Sequence, residues 1–291
     1  MLEFVFISTA EFVTSRIHSI PVCKMNQLLW ALVFCALLFD YVIEACDPCS
    51  CEWDSDCSGQ RANCKNKALT EVPSTLPSNT CALELDNNNI TSIGDNVFKN
   101  LTKLEELKLT DNRITTIEDN AFSGLTKLHT LYLDRNMLTA VKNNTFTDLR
   151  DLFNLFLSEN RITTIDDNAF SGLTDLKRLY LDRNKLTAVK NNTFTGLRNL
   201  GFLILHFNSI SSIEYNAFKD LKKTLGSMVL GNNKLNIVKD NIFTGWTRLR
   251  ELYLDNNIIT AIEDNAFRDS TNLKNLLVAF RGKNGRELHR F

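Results

Sequence analysis

The sequence predicts an α/β solenoid: a right-handed curved horseshoe with a parallel sheet on its concave side and irregular or short-helical segments on its convex side. Two periodicities carry the prediction. The pattern L-x-x-L-x-L-x-x-N-x-[IL]-x-x-[IV]-x-x-x-x-F recurs at a 24-residue step from about Thr80 to about Asn275. A 48-residue period lies over it, since Ile114-Thr-Thr-Ile-Glu-Asp-Asn-Ala-Phe122 returns as Ile162-Thr-Thr-Ile-Asp-Asp-Asn-Ala-Phe170, and Leu131-Tyr-Leu-Asp-Arg-Asn136 returns as Leu179-Tyr-Leu-Asp-Arg-Asn184. The chain grew by copying pairs of repeats.

This is the pattern of a leucine-rich repeat solenoid, and each element follows from it. One repeat is too short to close its own core, so its leucines are buried only by stacking on the next coil. In the second full repeat the inward positions are Leu104, Leu107, Leu109, Ile114, Ile117, Phe122 and Leu125. Leu107-x-Leu109 alternates as a strand does and forms one rung with Leu131-x-Leu133, Leu155-x-Leu157, Leu179-x-Leu181, Leu203-x-Leu205, Met228-x-Leu230 and Leu252-x-Leu254. Asn88, Asn112, Asn136, Asn160, Asn184, Asn208, Asn233 and Asn257 close the turn after each strand, where an amide both donates to a carbonyl and accepts from an N–H. Phe98, Phe122, Phe146, Phe170, Phe194, Phe218, Phe243 and Phe267 stack as a spine on the convex side. These ladders are core, not a ligand site. About eight rungs at roughly 4.8 Å give a sheet of about 40 Å, long enough to embrace a protein domain. Leu200 to Leu225 spans 25 residues, which places a bulge at Lys222-Lys-Thr224 and a local change of curvature.

The formal net charge is −1 and the basic residues form no run, which excludes an electrostatic case for nucleic acid or an anionic membrane surface. Leu28 to Phe39 is an apolar run ended by Asp40, short for a bilayer and the size of a signal-peptide core; an uncleaved signal anchor is the rival reading. Residues 1–24 then read as an extension before Met25, and 25–45 as the signal peptide, with cleavage after Ala45. Cys46, Cys49, Cys51, Cys57, Cys64 and Cys81 remain, clustered before the first repeat. An even cysteine count in a secreted chain reads as a disulfide framework; a zinc site at Cys46-x-x-Cys49-x-Cys51 competes, without a second ligand pair at typical spacing.

Cys46-Asp-Pro-Cys-Ser-Cys51, Cys64, Leu69-Thr-Glu-Val-Pro73 and Leu76-Pro-Ser-Asn-Thr80 resemble the cysteine-rich N-terminal cap of extracellular leucine-rich repeat proteins. That group includes Slit, the small leucine-rich proteoglycans, Toll-like receptor ectodomains and variable lymphocyte receptors. The resemblance covers nearly all of residues 46–275 and implies a cap over 46–79 followed by repeats over 80–275. It also implies that Cys46 pairs with Cys51 and Cys49 with Cys64, leaving Cys57 and Cys81 as a third bridge that departs from the common four-cysteine cap. Such proteins usually end in a second cysteine-containing cap, whereas residues 276–291 read as an irregular tail without cysteine. Truncation of the sequence, a non-standard cap and an edge covered by a second molecule are the competing explanations, truncation being the favoured one.

No catalytic constellation emerges. His129 and His206 fall about three coils, roughly 14 Å, apart and cannot share a substrate atom; they read as surface residues. No nucleophile elbow, zinc-protease or phosphate-loop motif is present in the sequence. Acidic runs such as Glu118-Asp-Asn and Glu263-Asp-Asn suggest either calcium or loop capping, and their return at every second coil fits capping better. No metal, cofactor or enzymatic activity is expected.

The informative surface is the concave face. The residue between the paired leucines runs Glu84, Lys108, Tyr132, Phe156, Tyr180, Ile204, Val229, Tyr253, a charged start followed by apolar and aromatic positions. Phe153, Phe202, His206 and Phe207 add to it, with Arg178 among the flanking charges. An aromatic centre with a charged rim is how protein-binding surfaces are built, although strands favour such residues in any case. The expected function is therefore a secreted or cell-surface scaffold that recognises a protein ligand through Tyr132, Phe153, Phe156, Arg178, Tyr180, Phe202, Ile204, His206, Phe207 and Tyr253. The alternative is a matrix component that self-associates, as a homodimer, through an open C-terminal edge. Sequons at Asn89, Asn100, Asn143 and Asn191 fit a secreted chain.

Overall fold

The computed structural model describes residues 46–240, 242–282 and 285–290, with side chains up to residue 280; the segments 1–24 and 25–45 lie outside the described residues. Residues from 48 onward build a twelve-stranded sheet in chain order, parallel except for the antiparallel pair at each end. Ser50–Asp54 and Gly59–Asn63 form an antiparallel hairpin, and the second of these lies parallel to Thr80–Glu84. Three-residue strands follow, one per coil, with Leu83, Leu107, Leu131, Leu155, Leu179, Leu203, Met228, Leu252 and Leu276 in register. The extra residue near Lys222 leaves this register intact, because Leu225 N–H reaches back to Leu221 O and the insertion is taken up in the turn.

Both expected ladders are present. From Asn112 onward each asparagine Nδ2 donates to the leucine carbonyl of its own coil and to that of the coil before, while its Oδ1 accepts an N–H from the preceding coil; Asn88 does the same with Cys64 O in place of the earlier leucine. For Asn160 these are Leu157 O at 3.1 Å, Leu133 O at 2.9 Å and Leu138 N–H at 3.0 Å. The residue before each asparagine has positive φ, at Asn87, Asp111, Arg135, Glu159, Arg183, Phe207, Asn232 and Asn256. The phenylalanine rings stack from Phe98 to Phe267 at centroid spacings of 5.5 to 6.3 Å. Trp246, fully buried, packs edge-on against Phe218 and donates Nε1–H to Ile242 O.

On the spine side the connections take the irregular form, turns and two-residue strands, with no α-helix among the described residues. These short strands pair only two by two: Ser92–Ile93 with Thr116–Ile117, Ala140–Val141 with Thr164–Ile165, Ala188–Val189 with Ser212–Ile213, and Ile237–Val238 with Ala261–Ile262. Within a pair, Thr163 N–H bonds Thr139 O and Asp166 N–H bonds Val141 O, both at 2.9 Å. The carboxylates of Asp166, Glu214 and Glu263 also accept the backbone N–H of Asn143, Asn191 and Asp240 in the coil before. At Asp166, Glu214 and Glu263 the acidic residue therefore caps a loop of the coil before. At the alternate junctions the corresponding slot holds Lys142, Lys190 or Lys239, which cannot accept. There the coils part over clefts of about 100 to 160 Å³, lined by Thr116, Ile117 and Val141 in one and by the equivalent residues in the others. The 48-residue sequence period is thus a two-coil structural module.

Disulfide Cys49–Cys64 closes the two ends of the N-terminal hairpin, Cys57–Cys81 ties the hairpin to the first coil, and Cys46 and Cys51 are disulfide-bonded as well. At the other end the expectation of an irregular tail over 276–291 fails. Asn275–Gly282 pairs in parallel with Glu251–Leu254 and turns back as the antiparallel strand Gly285–Arg290. Arg281 stands where the turn-closing asparagine would be, so the apolar run Leu276-Leu-Val-Ala-Phe280 continues as a long strand instead of bending after three residues.

Candidate protein-binding face

Side chains between the paired leucines point away from the core onto the open face of the long sheet. At its N-terminal end they form a closed ion network. Arg61 Nη2 lies 2.7 Å from Asp54, and its Nη1 lies 3.2 Å from Glu84 and 3.4 Å from Glu106; Lys108 and Lys65 each approach Glu84 at 3.0 Å. Burial would raise the Glu84 pKa, but the two lysine hydrogen bonds outweigh it and hold the carboxyl below its ordinary value. This end of the face is internally neutralised.

The next rungs carry an aromatic ladder. Phe156 stacks on Tyr132 at 4.5 Å and on Tyr180 at 4.4 Å, with interplanar angles of 8° and 12°. The 4.8 Å strand spacing of a parallel sheet puts equivalent rings at stacking distance, so the geometry follows from three aromatics on consecutive rungs. Phe202 continues the ladder edge-on to Tyr180 at 5.8 Å. Ile204 and Val229 then interrupt it, which leaves Tyr253 apart from the others.

Phe153 lies one column over, stacked on His129 at 5.1 Å. Arg178 Nη1 donates to Asn154 Oδ1 at 3.2 Å. His206 and Phe207 are in tilted contact at 5.0 Å, and the Arg183 guanidinium sits 4.6 Å over the Phe207 ring. Sequence reasoning counted Arg183 among the flanking charges but did not name His129 as a partner of these rings. The signal was present, because positions 24 residues apart are neighbours on the sheet. Phe153 and Phe207 remain 38% and 43% exposed, a large apolar area to leave in water.

Beyond the ladder a column of polar residues includes Asp134, Ser158 and Asp182. Ser158 N–H donates to Asp134 and its hydroxyl to Asp182. Burial, opposed only in part by that N–H, pushes the Asp134 carboxyl up to about 6. The sequon residues Asn100 and Asn143 are exposed, Asn89 and Asn191 half-buried.

Residues 78–201 and 182–279 match the family described as BspA type leucine-rich repeat region, in six copies, over more than half of the chain. The chain belongs to the leucine-rich repeat family. Its repeats are similar to leucine-rich repeat-containing G-protein coupled receptor 4 of Homo sapiens, with 44% identity over 61 residues, which is 21% of this chain and 6% of the receptor. They are also similar to leucine-rich repeat-containing protein 3B of Bos taurus, 37% identical over 84 residues, 29% of this chain and 31% of that protein. Leucine-rich repeat-containing protein 3 of Rattus norvegicus is 32% identical over 71 residues, 24% of this chain and 28% of that protein. The chain thus aligns with only a small part of each relative. Leucine-rich repeat solenoids of this kind are typically non-enzymatic protein-interaction scaffolds. The disulfides and the receptor-like relatives are compatible with an extracellular or cell-surface location.

Proposed function

We propose that this leucine-rich repeat chain is a secreted or cell-surface protein that captures a protein ligand on the concave face of its long sheet. The observation that carries this reading is the stacked run Tyr132–Phe156–Tyr180 with Phe202 at its end, held on a rigid sheet and flanked by the exposed rings of Phe153 and Phe207. Rings fixed against one another lose little freedom on binding, and aromatic clusters of this kind supply most of the energy of protein interfaces. The disulfide-tied N-terminal end and the sequons at Asn89, Asn100, Asn143 and Asn191 support passage through an oxidising, glycosylating compartment. Relatives named as a receptor support a role in recognition at the cell surface.

Capture of ligands from an array of secreted and cell-surface proteins tests the proposal. Phe156 is stacked on both sides, so Phe156→Ala loosens the ladder by about 1 to 3 kcal/mol; capture is therefore measured well below the thermal midpoint, where the fold stays populated. The captured ligand should be lost by about tenfold or more, a difference of about 1.4 kcal/mol or more. Ligands that bind Phe156→Ala as well as the unmodified chain would place the interaction elsewhere.

A further inference from the structure

The interruption of the aromatic ladder is a feature in its own right. In the column between the paired leucines, the two rungs between Tyr180 and Tyr253 carry Ile204 and Val229, with Phe202 and Ser227 beside them in the next column. The residues that precede these strands are Gly201 and Gly226. Neither is demanded by the backbone: a Cβ on Gly201 would meet nothing nearer than Lys177 O at 3.7 Å, and one on Gly226 nothing nearer than Gly201 O at 3.6 Å, both ordinary contacts at unexceptional φ. Gly231 differs, since a Cβ there would meet Asp255 Oδ1 at 2.7 Å. The two glycines thus leave space that the fold could have filled. Ser227, beside Gly226, has a buried hydroxyl without a hydrogen-bond partner among the described residues.

Charge marks what this recess suits. Lys177 and Arg178 stand on the rung before the glycines and Arg250 on the rung after, all exposed and none with a carboxylate within ion-pair distance among the described residues. Among the described residues Glu251 lies beside Arg250 and Asp175 lies two residues before Lys177, neither within ion-pair distance of the three cations, while Asp182 and Asp255 lie at the far ends of the strands. The contrast with the N-terminal rungs is sharp, because there Arg61, Lys65 and Lys108 are all neutralised by carboxylates of the chain itself.

We propose that the recess over coils six and seven seats a short acidic segment of the protein ligand, its apolar side chain on Ile204 and Val229 and its carboxylates on Lys177, Arg178 and Arg250. The inference rests on the reading of this face as a binding surface and adds the place and the chemistry of the contact.

The test pans a phage-displayed library of random short peptides on the full chain, with Gly226→Trp, Lys177→Glu/Arg250→Glu and Phe156→Ala as comparison surfaces. The expected outcome is enrichment of acidic peptides with an apolar centre, whose capture falls about tenfold or more on Gly226→Trp and on the double charge reversal. Gly226→Trp should keep a native circular dichroism spectrum, since open space receives the ring; should it misfold, the charge reversal, which leaves the core untouched, decides alone. Peptides lost on Phe156→Ala but retained on both other variants would overturn the recess and leave the face reading standing. Peptides indifferent to all three variants, or no enrichment, would overturn both. Sedimentation velocity covers the remaining occupant: a dimer abolished by Gly226→Trp would put a second copy of the chain in the recess and refute the acidic segment.

Discussion

Replacing Asn160 by alanine isolates the contribution of one rung of the asparagine ladder, and the structure allows its cost to be worked out. The amide donates to Leu133 O and Leu157 O and accepts from Leu138 N–H, all in the buried core. The two carbonyls do not become orphans, because Asn136 still donates to Leu133 O at 3.1 Å and Asn184 to Leu157 O at 2.9 Å. What is left bare is one buried N–H, that of Leu138. An unsatisfied buried group costs about 2 kcal/mol and each lost but compensated bond about 1 kcal/mol, so the substitution should cost about 4 kcal/mol. That is a large fraction of the roughly 5–15 kcal/mol that holds a typical domain folded.

Urea unfolding with the disulfides intact, followed by Trp246 fluorescence and far-ultraviolet circular dichroism, measures the loss. With a slope of about 2 kcal/mol per molar, the midpoint should fall by about 2 M. Arg161→Ala, one residue away on the exposed surface, should stay within about 0.5 kcal/mol of the unmodified chain. If the two variants shift the midpoint equally, the asparagine is not the clamp between coils that its geometry makes it.

Three further outcomes follow from the same structure. Amide hydrogen exchange should alternate along the spine side: Thr139, Lys142, Thr187, Lys190, Asn236 and Lys239 at the parted junctions should exchange faster than Thr163, Asp166, Ser211, Glu214, Thr260 and Glu263 at the zipped ones, and uniform protection would refute the two-coil module. Asp134 has a folded pKa of about 6, above its unfolded value, so the fold binds its proton more tightly and the group stabilises the fold progressively as pH falls from above 6 toward 4. Compared with Asp134→Asn, the unmodified chain should gain stability across that window, and two thermal-melt series that run parallel in pH would contradict the assignment. Opening the Cys57–Cys81 bridge, which closes a 24-residue separation, by the paired Cys→Ser change should cost about 3 kcal/mol in the same urea assay; no change in midpoint would show that the N-terminal hairpin is held by its strand pairing alone.

How much of this was legible in the sequence depends on whether a residue's role repeats. Leu107, Asn112 and Phe122 recur at every coil, and a periodic burial requirement is readable from one chain. The ladder Tyr132, Phe156, Tyr180 was legible for the same reason, since positions one period apart become neighbours on the sheet. Arg61 was not, because its partners Glu84 and Glu106 belong to other elements that meet it only after the N-terminal hairpin has folded. Nor were the left-handed positions: Asp111, Arg135, Glu159, Arg183 and Phe207 have no shared chemistry that asks for positive φ, and it is the asparagine clamp after them that imposes it. The hairpin after Asn275 was missed because the absence of a turn residue at Arg281 was read as loss of structure, whereas the unbroken apolar run Leu276–Phe280, with no instruction to turn, carries the strand on to Gly282. The glycine recess carries no periodic signal at all. It is defined by side chains that are missing at Gly201 and Gly226.

The two sides of the solenoid are bonded differently, and the difference bears on how the face works. Along the long sheet every strand pairs with the next, so the spacing of Tyr132, Phe156 and Tyr180 is fixed by an unbroken ladder of backbone hydrogen bonds. Along the spine side the short strands pair only within a two-coil module, where Asp166, Glu214 and Glu263 cap three of the junctions; between modules a lysine occupies the slot and fewer bonds cross, Asn168 N–H to Asn192 O among them. Strain applied to the chain therefore concentrates at the three clefts, where fewest bonds resist it. On the proposed reading of this face, a ligand that must match a fixed row of rings meets a surface whose spacing is set by the continuous sheet, while the less bonded clefts lie on the side away from those rings.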